Sequence, residues 1–151
     1  MIKNIFDLPV VNEIIDRINR LTADTKPLWG KMSVSQMLAH CNVTYEMVYD
    51  NIHPKPNAFM KFILKLLVKS KVVSEKPYEH NLKTAPSFII KDEKEYEKEK
   101  ARLIEYIRKT HQLGAAHFNG KESHSFGTLA QQQWNNMFYK HLDHHLSQFG
   151  V

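Results

Sequence analysis

The sequence predicts an all-α chain built on four long helices. Three observations carry this reading: four segments with apolar residues spaced at three and four, two S/T-x-x-Q patterns at helix starts, and proline or glycine where those segments stop. At 151 residues, with 42% hydrophobic and 25% charged residues, the chain suits one folded domain spanning 1–151 with a sizeable core.

The first helix is expected over residues 8–21: Asp7 can cap it, Pro9 fits its opening turn, and Val11, Ile14, Ile15, Ile18 and Leu21 form its apolar face. The second opens on a Ser33/Gln36 capping box, runs its stripe through Val34, Met37, Leu38, Cys41, Tyr45 and Val48, and should end near Asp50, before Pro54 and Pro56. The third follows "KDEKEYEKEKAR", with Asp92 and Glu95 as first-turn acids, Leu103, Ile104 and Ile107 as stripe, and Gly114 as stop. The fourth is expected to be capped by Thr128 with Gln131, and to carry Trp134, Met137, Phe138, His141, Leu142, His145 and Phe149 on one side.

Residues 51–91 join the second helix to the third and are too many for a tight turn, so the connection is expected to cross the structure. It contains a short amphipathic helix, 59–71, with Lys61, Lys65 and Lys69 at every fourth position against Phe59, Met60, Ile63, Leu64 and Leu67. Its apolar runs are too short and too often broken by lysine to span a bilayer. The simplest expectation packs its apolar face on the other helices, or on a second copy in a homodimer, with lysines in solvent; a membrane-surface helix is the alternative.

Net charge is +5, but 16 acidic residues are mixed among 21 basic ones, which argues against a nucleic-acid partner. The single cysteine, Cys41, cannot form an internal disulfide, and the N-terminal stretch lacks the apolar run of an export signal; both point to the cytoplasm. Cys41 is also unsuited to a nucleophile pair with His40, since helix neighbours diverge by about 100°.

The chemistry-bearing motif is "YKHLDHHLSQFG" at 139–150, with three histidines in five positions. His141 and His145 stand at i and i+4, the spacing that lets two imidazoles on one helix face hold one metal ion. With nine histidines in 151 residues, chance alone gives roughly 0.5 such pairs, so direction has to be added to spacing. Taking His141 as zero and about 100° per residue, Trp134, His145, Phe138 and Phe149 fall near 20°, 40°, 60° and 80°. His144 falls near −60°, at the margin of that stripe, and Asp143 points away. Two imidazoles in an apolar stripe need partners: either a shared metal or separate hydrogen bonds to a neighbouring helix. His40, inside the second helix and on the flank of its stripe, is the third candidate ligand. His124, in the loop before the fourth helix, is a candidate proton donor. Met37, Thr44, Trp134 and Phe138 are candidate walls of a small-substrate pocket.

The blocks "WGKMSVSQMLAHC" at 29–41 and "SFGTLAQQQW…YKHLDHHLSQFG" at 125–150 resemble the DinB/YfiT-like superfamily, closest to a branch of small bacterial domains. The resemblance spans nearly the whole chain, is strong at these blocks and weak over 51–91. It implies a four-helix bundle with a three-histidine metal site, one ligand from the second helix and two from an HxxxH on the fourth, carried here by His40, His141 and His145. It also implies a metal-dependent enzyme, since members of the superfamily transfer low-molecular-weight thiols and others are tied to hydrolysis or isomerisation. Three neutral imidazoles with an open position suit Zn²⁺ and also admit Ni²⁺, Fe²⁺ or Mn²⁺. The competing reading is a non-catalytic interaction or membrane-surface module acting through the 59–71 helix.

Overall fold

The computed structural model describes residues 1–80, 82 and 84–151. Helix dominates. In chain order the elements are α1 (Leu8–Asn19), α2 (Val34–Tyr49), α3 (Ala58–Leu67), α4 (Lys69–Val73), a 3-10 turn (Pro86–Phe88), α5 (Tyr96–Phe118), β1 (Lys121–Ser123), β2 (Gly127–Leu129) and α6 (Gln131–Gln148). None of the described helices is long and apolar enough to cross a membrane.

The four long helices α1, α2, α5 and α6 pack on one another, and α4 lies against α6. Their apolar faces close over one core: Ile14 and Ile18 of α1, Met37, Leu38 and Tyr45 of α2, Leu103 and Ile107 of α5, and Trp134, Phe138 and Leu142 of α6, all essentially without solvent contact. Phe118, Trp134, Phe138 and Tyr45 form a run of ring contacts at 5.2 to 5.5 Å, so the largest side chains sit where the helices meet.

Local chemistry explains most helix ends. Ser33 Oγ accepts from Gln36 N–H while Gln36 Oε1 accepts from Ser33 N–H, the reciprocal box that starts α2. Four expected ends differ. Asp7 occupies the N-cap of α1 without a side-chain bond to the helix, because its carboxylate instead accepts from Asn4 Nδ2. The third long helix starts at Tyr96, so Glu97 and Glu99, not Asp92 and Glu95, are its first-turn acids. Gly114 does break α5, with φ of 74°, but one further helical turn follows to Phe118.

Thr128 does not cap the fourth long helix. It lies in β2, paired with Glu122 of β1 in an antiparallel hairpin that the helical reading did not foresee. Ser123 closes the hairpin: its hydroxyl donates to the Gly127 carbonyl and accepts from Phe126 N–H. α6 starts three residues later, where Gln133 Oε1 accepts from Ala130 N–H.

Buried polar groups fasten the ends. Asn135 Oδ1 accepts from Ile5 N–H at 2.7 Å and its amide donates to the Lys3 carbonyl, holding the N-terminal strand of chain on α6. Lys140, almost fully buried, donates to the carbonyls of Lys71 and Ser74, and Asn136 donates to that of Val73, pinning α4 to α6. Arg17 reaches from α1 to Asp143, Ser147 and the Val151 carbonyl, which accounts for the outward direction of Asp143.

The short basic helix departs most from expectation. It is split at Val68 into α3 and α4, and no residue of α3 is buried. Lys61 pairs with Glu122 of the hairpin, and the end of Lys65 lies so close to Gly127 that a Cβ there would fall 2.6 Å from its Cε. The lysine side therefore faces the hairpin, and Phe59, Phe62, Leu66 and Leu67 face outward. Of the expected apolar face, Ile63 and Leu64 are half-buried while Phe59, Met60 and Leu67 are exposed, so packing on the other helices covers only part of it.

Asn135→Ala leaves the buried Ile5 N–H without an acceptor and should destabilise the fold by about 2 kcal/mol, read as a lower urea midpoint at unchanged slope.

Candidate metal centre

α2 and α6 bring His40, His141 and His145 together, 101 residues apart along the chain at the closest contact. One ring nitrogen from each lies within 4.8 Å of the others, and His40 Nε2 and His141 Nε2 are 3.0 Å apart. A tetrahedral zinc centre with Zn–N of 2.0–2.1 Å separates its nitrogens by about 3.3 Å, so the trio needs only small side-chain adjustments to close on an ion.

The other ring nitrogens are all engaged. His40 Nδ1 is 2.8 Å from the Phe88 carbonyl, His145 Nδ1 is 2.8 Å from Gln148 Oε1, and His141 Nδ1 is 3.1 Å from Thr44 Oγ1. A carbonyl oxygen only accepts, so the Phe88 contact makes Nδ1 of His40 the N–H and leaves its Nε2 a bare lone pair. Gln148 donates its amide NH₂ to the Trp29 carbonyl, which turns its Oε1 toward His145 and sets the same tautomer there. The threonine hydroxyl can accept from His141 as well. Its Nε2 then faces that of His40 as a second bare lone pair at 3.0 Å, an arrangement that a shared cation relieves. Oxygen partners on the outer nitrogens are the usual support of metal-ligating histidines.

Electrostatics agree with neutral ligands. Burial lowers the pKa of His40; burial and the neighbouring His145 and His40 push His141 well below the ordinary 6.5; and burial with His40 nearby brings His145 down to about 3. All three are therefore deprotonated at neutral pH and ready to donate lone pairs.

The remaining sequence candidates fall in different places. His144 is outside the trio. Its ring turns to Trp29, Tyr78 and His80 at 5.6 to 6.2 Å, and its edge meets His145 at 5.0 Å. Thr44, expected as a pocket wall, pairs its hydroxyl with the ring of His141. Met37, Trp134 and Phe138 are sealed in the core and cannot line an open pocket, because the stripe that aims the histidines continues below them into the helix interface. His124 sits in the hairpin loop, bonded to Ser125 Oγ and the His53 carbonyl, and makes no contact with the trio among the described residues.

Two supports were not anticipated. Gln148 stands at i+3 from His145, a spacing that could have suggested it. Phe88 comes from the long connection, where no periodicity places it; its ring also meets His40 and His141 edge-on at 5.3 and 5.8 Å.

The profile of a family described as "Protein of unknown function (DUF1569)" matches residues 3–150. The chain belongs to the DUF1569 family. No curated protein and no solved structure matches it. The DUF1569 match spans all three histidines and every residue that supports their rings.

Gly30 belongs to this support. Its φ is +84°, and a Cβ there would lie 2.5 Å from Gln148 Nε2. Gly30→Ala should displace the glutamine amide, loosen His145 and lower affinity for Zn²⁺ about tenfold, measured by competition with a chromophoric chelator.

Acid should also unfold the metal-free protein. The histidines titrate near 6.5 when unfolded but lower in the fold, so between about pH 6.5 and about pH 3 the unfolded chain binds more protons. Their contribution is complete above 6.5 and falls with pH by at most about 1.4 kcal/mol per pH unit for each histidine. Urea midpoints at about pH 7.5 and about pH 5 should differ accordingly; equal midpoints would contradict a neutral trio.

Proposed function

We propose that this DUF1569 chain is a divalent-metal-dependent enzyme of the DinB/YfiT-like kind, a four-helix bundle whose centre is His40, His141 and His145. The observation that carries the reading is the convergence of one ring nitrogen from each histidine to within 4.8 Å of the others, while the Nδ1 atoms of His40, His141 and His145 pair with oxygens of Phe88, Thr44 and Gln148. The packing of α1, α2, α5 and α6, with α3 and α4 inside the α2 to α5 connection, supports the bundle assignment.

Three neutral imidazoles suit Zn²⁺ best and accept Ni²⁺, Fe²⁺ or Mn²⁺. When bound with an open position, such an ion supplies a Lewis acid that can activate water for hydrolysis or hold a substrate thiol as thiolate for transfer. The protein's own contribution is orientation and exclusion of water. Phe88, Thr44 and Gln148 fix the three rings, and burial keeps them unprotonated. A small organic substrate would meet Phe88 beside His40 and His141, and Trp29, Tyr78, His80 and His144 on the side of His145.

Elemental analysis of protein purified without a histidine tag tests the proposal. About one divalent ion per chain is expected. His40→Ala, His141→Ala or His145→Ala should abolish it, and His144→Ala should leave it nearly unchanged. Thr44→Val, which strips the partner from His141, should weaken binding about 10-fold to 100-fold while the chain stays folded. A metal-free protein that also takes up no added Zn²⁺ would overturn the reading. Turnover of an electrophile by the loaded protein across a panel of low-molecular-weight thiols then separates transfer from hydrolysis.

A further inference from the structure

α3 presents an apolar surface that nothing among the described residues covers. Phe59, Met60, Phe62, Leu66 and Leu67 are 73%, 47%, 61%, 67% and 62% exposed. At about 200 Å² for a large apolar side chain, these five alone expose on the order of 600 Å², the upper end for a single patch on a monomer. We propose that α3 is an interfacial helix that seats the folded protein on an anionic membrane surface.

Two properties choose this occupant over a second copy of the chain. The first is the shape of the patch. At about 100° per residue, the exposed side chains run from Phe62 near −60°, through Leu66 and Phe59, to Leu67 and Met60 near 100°, an arc of about 160°. Two straight helices share a narrower seam, and the area falls short of the roughly 800 Å² each partner contributes to a standard interface. A bilayer surface adapts to the whole arc. The second property is charge. Between residues 51 and 74 the chain holds five lysines and no acidic residue. Glu122 offsets Lys61, and Lys55, Lys65, Lys69 and Lys71 leave this side of the molecule positive, a charge that anionic headgroups neutralise and a second copy would repeat.

The helix has the composition of a segment that lies in the headgroup region, with phenylalanine and leucine on one face and lysine on the other. The lysines of α3 are turned toward the hairpin, and Lys61 is held there by Glu122, so the apolar face projects outward in the folded state without rearrangement. Lys69 and Lys71 extend the positive stretch into α4, which Lys140 and Asn136 fasten to α6.

Sedimentation of the full chain with phosphatidylcholine vesicles, with and without one-third phosphatidylglycerol, tests the proposal. Binding is expected only to the anionic vesicles, and should fall steeply with added salt. The double variant Phe62→Glu, Leu66→Glu should lose binding at least about tenfold, and so should Lys65→Glu, Lys69→Glu, Lys71→Glu. No residue of α3 is buried, so Phe62→Glu, Leu66→Glu should melt as the parent does and keep the same metal content, which separates this inference from the metal-enzyme reading. Absence of vesicle binding, or equal binding to neutral and anionic vesicles, overturns it. A dimer dissociated by Phe62→Glu, Leu66→Glu, with no vesicle binding, would assign the face to a second copy and overturn it equally.

Discussion

The contact between α2 and α6 through three imidazoles is the constraint on which the rest of the centre depends. Buried imidazole is costly unless every nitrogen is satisfied, and six ring nitrogens here share a small volume. Three are satisfied outward, by Phe88, Thr44 and Gln148. Of the inner three, His40 Nε2 and His141 Nε2 stand at hydrogen-bond distance from each other, 3.0 Å, and something placed between the rings would engage all three at once. The surrounding elements follow from the outward bonds. The long connection must return over α2 to bring the Phe88 carbonyl, and the loop at Trp29 must approach α6 closely enough to hold Gln148.

The placement of His141 and His145 was legible in the sequence because helical phase is a local property. Once Trp134 and Phe138 define the buried side of α6, the directions of His141, Asp143, His144 and His145 follow from the rise and turn of one helix. Asp143 on Arg17 and His144 beside Trp29 stand where that phase puts them. His40 was less determined: its flank position allowed contact with α6 without requiring it, and resemblance supplied the choice. The hairpin was lost because Thr128 and Gln131 imitate a capping box, while the bonds that make Thr128 a strand residue come from Glu122, six residues back. The phase of α3 was readable and its orientation was not. An amphipathic pattern gives two faces, and only the ion pair with Glu122 and the seat of Lys65 over Gly127 decide which one turns inward.

The fold thus separates two kinds of polar chemistry. Around the histidines, every outer nitrogen is paired with a neutral oxygen, so no full charge competes with a cation for the lone pairs. Away from them, charged groups are paired among themselves: Glu46 and Glu99 with Arg102, and Arg17 with Asp143. An ion held by neutral ligands in apolar surroundings keeps its full charge and its power to polarise what it binds.

The wide separation of the histidines along the chain also sets an order of events during folding. A chain synthesised only as far as α5 carries one of the three, and the isolated α6 carries two without the carbonyl and hydroxyl that orient His40 and His141. Closing a loop of 101 residues comes before the three can meet. A metal ion would therefore encounter a nearly finished fold rather than a nascent one, and its binding energy would act on the last step of assembly, the docking of α6 against α2.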